Sequence, residues 1–191
     1  VKINNKKFKC KKIILAIPPK SLLRINYLSP YKSVLNSVRS NKYIRVYAIY
    51  PKVNGKVWFD NISTIHTDLL IKKIIPIDKK TGLIMVAYTD GIFAEILSQM
   101  NVNQKLKFII QKNLKQLFPN KNIPNPIYFK AHFWDAGTHW WNPGISPYEL
   151  IPKISQLDPT KKLYIAGEAY SDQQGWIEGA SIYVNRHSFH I

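Results

Sequence analysis

The sequence predicts a mixed fold in which an α/β portion is joined to an α+β portion. The continuous apolar run at residues 13–17, ended by Pro18 and Pro19, is typical of a buried parallel strand. Residues 102–118 place apolar side chains at helical spacing, and segments rich in β-branched and aromatic residues lie between these two regions. With 191 residues, of which 46% are hydrophobic, the chain can bury a sizeable core.

The remaining elements follow from local composition and from turn residues. Residues 43–50 and 83–88 are rich in β-branched and aromatic side chains, so each is predicted to form a strand. Pro51 ends the first of these strands and Pro119 ends the helix at 102–118, because proline lacks the backbone N–H that either element needs. Further strands are predicted at 127–134 and 164–166, short helices at 31–40, 92–97 and 151–157, and an aromatic loop at 139–147.

The formal net charge of +17 raises the question of a nucleic-acid partner. The basic residues are scattered along the chain, and only four of the 28 are arginine, the residue that most often contacts base edges and phosphates. No zinc-finger spacing or helix-turn-helix punctuation occurs. The sequence therefore predicts no specific nucleic-acid partner, and the charge reflects a composition rich in lysine, isoleucine and asparagine.

Other features bear on the compartment and on the class of protein. Cys10 is the single cysteine, so no disulfide can form within the chain and a reducing, cytoplasmic location is favoured. No run of about 18 apolar residues is present, so no membrane span is predicted. The histidines show no spacing typical of metal ligands, and no metal site is predicted. The chain begins with Val1 rather than Met, which suggests a piece of a longer protein.

The most informative segment is residues 163–180, LYIAGEAYSDQQGWIEGA. It indicates a short buried strand, a Gly-Glu step, a polar loop and a helix that begins after Gly175. A strand that leads through glycines into a helix N-terminus brings backbone N–H groups close to a ligand. Gly167 has no Cβ to block that approach, and Glu168 can accept hydrogen bonds from ribose or ribityl hydroxyls. The alternative is an ordinary strand-turn-helix whose glycines serve packing.

Three segments together resemble the flavin-containing amine oxidases, the family of monoamine and polyamine oxidases. Residues 166–180 resemble the family's C-terminal flavin-binding signature, with Ala-Gly-Glu at the start and Gly-Trp-Ile-Glu-Gly-Ala at the end. Residues 13–19, IILAIPP, resemble the strand that leaves the flavin domain, and residues 133–144, FWDAGTHWWNPG, resemble the segment that returns to it. The resemblance implies FAD as cofactor and the following FAD-binding residues: Trp134, Gly167, Glu168, Gly175, Trp176, Ile177, Gly179 and Ala180.

The resemblance also implies how the flavin is held. Some members attach it covalently through a cysteine in the turn that matches Ala136 and Gly137. Here no cysteine follows Cys10, so non-covalent FAD is implied. The positive end of the helix that begins after Gly175 favours the negative charge of a reduced flavin.

The family's substrate cage is aromatic, and Trp176 matches one of its walls. The opposite wall stays open among Thr138, His139 and Trp140, because the match slips by about one residue there. Aromatic walls suit a flat substrate that carries an amine. The alternative is that Trp140 and Trp141 are core aromatics.

A lysine is the family's catalytic side chain, since it holds a water molecule against flavin N5. In this sequence Lys52 lies near the matching place, after the strand at 43–50, but one residue later than expected. The alternative is that Lys52 lies near this place by chance, because the chain is rich in lysine.

The resemblance implies three regions. Residues 1–25 are a piece of an FAD-binding, Rossmann-like domain, 26–130 form a substrate-binding domain of mixed antiparallel sheet and helices, and 131–191 return to the FAD-binding domain. The Gly-x-Gly-x-x-Gly unit that binds the ADP half of FAD has no match among the eight glycines. We therefore expect an N-terminal FAD-binding region to be supplied in cis or in trans.

The implied function is that of the C-terminal portion of an FAD-dependent amine oxidase. A small-molecule amine is oxidised to an imine while O2 is reduced to H2O2, and the 191-residue chain alone is not expected to be active. Two alternatives stay open: a catalytically inactive amine-oxidase-like binding module with a basic surface, and a related flavin-dependent desaturase. Salt-sensitive association with nucleic acid in the absence of flavin favours the binding module.

Overall fold

The structure, a computed structural model, describes residues 2–100 and 104–186. No helix within these residues has the length and the apolar character needed to cross a bilayer. Short 3-10 turns occupy Asn26–Tyr31 and Glu168–Tyr170. In chain order the elements are β1 (Lys2–Ile3), β2 (Lys6–Lys7), β3 (Ile13–Leu15), α1 (Pro19–Leu22), α2 (Lys32–Leu35), β4 (Val38–Ile49), β5 (Ile65–His66), β6 (Lys73–Asp78), β7 (Leu83–Asp90), α3 (Gly91–Gln99), α4 (Gln104–Leu117), β8 (Tyr128–Trp141), α5 (Pro147–Ser155), β9 (Leu163–Ile165) and α6 (Ile177–Arg186).

The chain divides into two compact units, whose boundaries fall within β4 and within β8. The first unit comprises the residues up to Asn41 and those from Ala136 onward, and the second comprises Lys42–Asp135. A parallel strand pair lies in the first unit and antiparallel pairing dominates the second, which confirms a mixed, α+β architecture. The Rossmann-like character of the first unit and the domain limits at 25 and 130 stay predictions.

The first unit is built on the parallel pairing of β3 with β9. Ile13 lies opposite Leu163 and Leu15 lies opposite Ile165. The predicted parallel strand is confirmed over Ile13–Leu15, but its predicted burial is wrong. Ile13 and Leu15 are half-buried, and Ile14 is 42% exposed in a sheet of two strands. The buried hydrophobic residues of this unit form one cluster: Leu22, Leu28, Leu35, Val38, Ile154, Leu157, Ile165, Ala169, Tyr170 and Tyr183.

The connection that leads into β9 is held by the carboxylate of Asp158. It accepts hydrogen bonds from the backbone N–H groups of Thr160, Lys162 and Leu163 at 3.1, 2.9 and 2.8 Å, and from the hydroxyl of Tyr27 at 3.1 Å. Burial alone raises the pKa of Asp158, but hydrogen bonds from the hydroxyl of Thr160 and from the three backbone N–H groups outweigh burial and hold the pKa well below its usual value. The carboxylate therefore fixes the entry angle of β9.

The second unit contains most of a five-stranded sheet with the order β5, β6, β7, β4, β8. β4 and β7 pair antiparallel, with Tyr43 opposite Asp90 and Ile49 opposite Leu83. Alternate residues of β4 join α3 and α4 in one core, as expected for a sheet with one buried face. Its fully buried members include Ile44, Val46, Ala48, Ile84, Val86, Ala94, Leu97, Leu106, Ile110 and Leu114.

Three elements differ from the sequence prediction. The helix expected at 31–40 is only α2, because β4 already begins at Val38 despite the polar residues that follow it. The aromatic loop expected from residue 139 is still strand, since β8 continues to Trp141. Strand β6 was not predicted, because Pro76 interrupts its apolar pattern. A proline is tolerated there because β5 pairs with β6 only at residues 73 and 74, so no strand needs a hydrogen bond from Pro76 on the β5 side.

We expect Asp158→Asn to lower the free energy of unfolding at neutral pH and to weaken its dependence on pH in acid. A carboxyl group whose pKa is lower in the folded than in the unfolded state stabilises the fold above about pH 4 and loses that contribution as the pH falls. Urea unfolding between about pH 3 and pH 7 measures both effects.

Glu149→Gln is the matched control, because Glu149 is an exposed carboxylate of the same unit. It should follow the wild-type curve. If Asp158→Asn also follows that curve, the carboxylate does not stabilise the entry to β9.

Candidate functional site

The segment between β9 and α6 is organised by the carboxylate of Glu168. Its Oε1 lies 2.5 Å from Nδ1 of His139, and its Oε2 accepts a hydrogen bond from the backbone N–H of Gly175 at 2.8 Å. Glu168 follows β9, His139 lies in β8 and Gly175 lies two residues before α6. One carboxylate therefore joins three parts of the chain in the first unit.

Two glycines in this segment have backbone angles that other residues rarely adopt. Gly167 has φ +135° and Gly175 has φ +86°, so a side chain at either position strains the backbone. No described atom outside the neighbouring residues lies within 4 Å of the place where a Cβ would stand. The space beside both glycines is therefore open to a ligand.

Gly179 serves packing instead. A Cβ at this position in α6 would stand 1.9 Å from the carbonyl oxygen of Gln173 and 2.5 Å from the hydroxyl of Ser171. The helix thus lies directly against the loop that precedes it, which is the packing role that the sequence left open for its glycines. Ala180, the next residue, is half-buried.

The loop before α6 is held by hydrogen bonds of Trp141 and Gln174, of which only Trp141 was named from the sequence. The backbone N–H of Trp141 donates to Oε1 of Gln174 at 2.7 Å, and its indole N–H donates to the carbonyl of Ser171 at 2.9 Å. The side chain of Gln174 also donates to the carbonyl of Ala169 at 2.5 Å. Trp141 is therefore a support for this loop, in line with the core-aromatic alternative, and no local sequence signal indicates its polar contacts.

The residues predicted to form a substrate cage differ in their accessibility. Trp176 and Ile177 are 73% and 78% exposed, and Trp140 is 47% exposed. His139 is only 4% exposed, and Thr138 is half-buried. Because side chains alternate along a strand, Thr138 and Trp140 share the face of β8 opposite His139. Of the two candidates that have a ring, Trp140 therefore exposes more ring surface to a ligand than His139 does.

The second ring nitrogen of His139, Nε2, is unusual in its hydrogen bonding. Nε2 is buried and has no hydrogen-bond partner among the described residues. A buried polar atom without a partner costs free energy, so such an atom calls for a water molecule or a ligand. Since Nδ1 faces a carboxylate, the Nδ1 proton is favoured and Nε2 of the neutral ring is an acceptor.

Two predicted site residues belong to the second unit. Trp134 in β8 is 44% exposed and stacks on His132, with ring centroids 6.0 Å apart, while the guanidinium of Arg45 lies 5.9 Å from its ring. Lys52 is exposed in the turn that follows β4, beside the bridge between Val53 and Lys56. The contacts of Lys52 assign it no role.

Metal ligation has no support in this part of the chain. Within residues 2–100 and 104–186, no three His, Cys, Asp or Glu side chains are grouped so that they could hold an ion. His187 and His190 lie outside the described residues.

The comparison with protein families decides the class of protein. The sequence model described as flavin containing amine oxidoreductase matches residues 1–182. The chain belongs to this family. A comparison with curated proteins gave no match. Membership implies a flavin cofactor, oxidoreductase chemistry and a small-molecule substrate.

The residues between β9 and α6 fit a flavin. The backbone is open beside Gly167 and Gly175, and the first N–H groups of α6 follow directly. His139 contacts this segment through Glu168, and its Nε2 has no partner among the described residues. Each oxygen of Glu168 holds one hydrogen bond, so the carboxylate can still accept others from a ligand hydroxyl.

We expect Gly179→Ala to destabilise the first unit, since the new Cβ would overlap the carbonyl of Gln173 and push α6 away from its loop. Overpacking of this kind costs about 1–3 kcal/mol. The midpoint of thermal unfolding should fall accordingly. Ser181→Ala, at an exposed position of the same helix, is the control and should leave the midpoint unchanged. Equal midpoints for both variants would contradict the packing role of Gly179.

Proposed function

We propose that this chain is the C-terminal portion of an FAD-dependent amine oxidase, which oxidises an amine to an imine and reduces O2 to H2O2. The observation that carries the proposal is the unit made by β9, Gly167, Glu168 and α6, which has the form of a cofactor-binding strand-turn-helix. Because no cysteine follows Cys10, the FAD is held without a covalent bond.

The FAD-binding residues act mainly through the backbone. Gly167 and Gly175 leave room for the cofactor, and the first turn of α6, next to Trp176, presents N–H groups that favour negative charge. Glu168 accepts hydrogen bonds from the hydroxyls of the cofactor while it holds Gly175 in place. The bound flavin supplies the redox chemistry, in that it accepts a hydride equivalent from the carbon next to the amine nitrogen.

His139 is proposed to contact the bound cofactor or substrate through Nε2. Glu168 fixes the orientation of the ring, so Nε2 points to a set place and can accept a proton or a hydrogen bond there. Filling this site with a ligand atom also removes the cost of a buried polar atom without a partner.

The substrate class follows from the exposed aromatic residues of the first unit. Trp176 and Trp140 present ring faces that suit a flat amine, which also gains a cation–π contact when it is protonated. The ADP half of FAD requires a Gly-x-Gly-x-x-Gly unit, which we propose an N-terminal region supplies in cis or in trans.

The test is the visible flavin absorbance of the complete gene product, followed by its anaerobic bleaching with amines. We expect a bound flavin, reduction by an aromatic amine and release of H2O2 when air is admitted. A product without flavin supports the inactive binding module. Flavin that is reduced only by a substrate without an amine supports the desaturase.

Glu168→Ala is expected to release the flavin, because it removes both the hydroxyl acceptor and the hydrogen bond to Gly175. The dissociation constant should rise at least tenfold, about the value of one charge-assisted hydrogen bond. Glu178→Ala, which removes an exposed carboxylate of α6, is the control. Equal flavin retention by both variants contradicts the proposed role of Glu168.

Lys52 is proposed, from the family resemblance, to hold a water molecule against flavin N5. We expect Lys52→Met to slow reoxidation by O2 while leaving the visible spectrum unchanged. Lys56→Met removes the same charge four residues further along the same turn and should have no effect. If both variants behave like the wild type, Lys52 is an ordinary surface lysine.

A further inference from the structure

The sheet of the second unit carries a polar and aromatic cluster opposite its buried face. Ile44, Val46 and Ala48 of β4 are fully buried in the core, whereas Tyr43 and Arg45 alternate with them and stay partly accessible. In the pairing of β4 with β7, Arg45 lies opposite Tyr88.

Arg45 stands at the centre of three aromatic rings. Its guanidinium lies 4.8 Å from the ring of Tyr88, 5.9 Å from that of Trp134 and 6.0 Å from that of Tyr43. One N–H group, on Nη2, donates to the hydroxyl of Tyr88 at 3.3 Å. The N–H on Nε is buried and has no partner among the described residues. The guanidinium also hydrogen-bonds Tyr47. The planar fork is therefore held in place, while its Nε donor is left without a partner among the described residues.

The hydroxyl of Tyr88 is available to a ligand as a hydrogen-bond donor rather than as an acceptor. Its oxygen accepts hydrogen bonds from the hydroxyl of Tyr43 at 2.9 Å and from Arg45 at 3.3 Å, so the remaining capacity of this hydroxyl is its own O–H. The ammonium of Lys73 lies 5.8 Å from the ring of Tyr88. Burial raises the pKa of Tyr88, but the hydrogen bonds and the two positive charges outweigh it and lower that pKa.

The charges around Tyr88 are therefore mainly positive. Arg45 and Lys73 face it, and Asp90 at the end of β7, opposite Tyr43, is the acidic group next to the cluster. Arg45 and Lys73 belong to the two strands that flank β7, so Tyr88 has a positive side chain on each neighbouring strand. Arg45 and Tyr88 supply the donors that an anion requires.

We propose that this cluster is a binding site for the carboxylate of a planar organic acid. The guanidinium of Arg45 and the hydroxyl of Tyr88 receive the carboxylate, since a guanidinium fork matches two carboxylate oxygens. The rings of Trp134, His132 and Tyr47 form a connected aromatic group beside it, with centroids 6.0 and 5.9 Å apart, and they contact the flat part of the acid. A planar acid therefore fits better than inorganic phosphate, which has no face to stack.

The residues that form this site all belong to the second unit, so the inference does not rest on the contacts of Glu168 in the first unit. The test is titration of the complete gene product with benzoate at low ionic strength, followed by calorimetry and by tryptophan fluorescence. We expect benzoate to bind, while benzamide, which has the same ring without the negative charge, binds at least tenfold more weakly.

Three variants locate the site, and a fourth is the control. Arg45→Gln should weaken benzoate binding at least tenfold, and Tyr88→Phe should weaken it less, because only one hydrogen bond from an uncharged donor is lost. Arg45→Lys keeps the charge without the fork, and it should fall between Arg45→Gln and the wild type. Arg39→Gln removes an exposed arginine of the same strand and should bind benzoate like the wild type.

Several outcomes overturn the proposal. Unchanged benzoate binding in Arg45→Gln places the anion elsewhere, provided that circular dichroism shows the variant to be folded. Equal binding of benzamide and benzoate means that the rings, and not the charged groups, hold the ligand. Binding of inorganic phosphate in the absence of benzoate binding excludes a planar acid.

Discussion

The position of α6 depends on one carboxylate. Glu168 follows a three-residue strand and must bridge to a helix that begins nine residues later, and its two oxygens bind two partners, the imidazole of His139 and the N–H of Gly175. A carboxylate that is largely withdrawn from water is costly unless it is hydrogen-bonded, so these contacts are required and not incidental. These two contacts determine where the helix begins and how the imidazole is oriented. They also determine the close contact at Gly179.

The sequence predicted well those parts of this unit that local chemistry controls. The apolar strand, the turn at Gly175 and the helical spacing after it all lie within about 25 residues, and each has a signal of its own. The partnership of Glu168 with His139 has no such signal, because 29 residues separate them. The sequence accordingly offered His139 as a wall of the substrate cage, whereas its ring is buried and faces a carboxylate.

The second unit shows the same limit for strand pairing. The β-branched and aromatic composition of residues 43–50 predicts a strand, but it does not say which strand lies alongside. The cluster around Arg45 arises only when the register places Tyr88 opposite it and β8 brings Trp134 near. Strand β6 could not be predicted for a related reason. Proline argues against a strand unless no neighbouring strand needs its backbone N–H, and the sequence does not show whether that is so at Pro76.

The two-stranded pairing of β3 with β9 has a consequence for handling the protein. Within the described residues no third strand pairs with either of them, and Ile14 is partly uncovered. Backbone groups along such borders readily recruit strands from other molecules. Concentrated preparations of the protein are therefore prone to self-association along this edge.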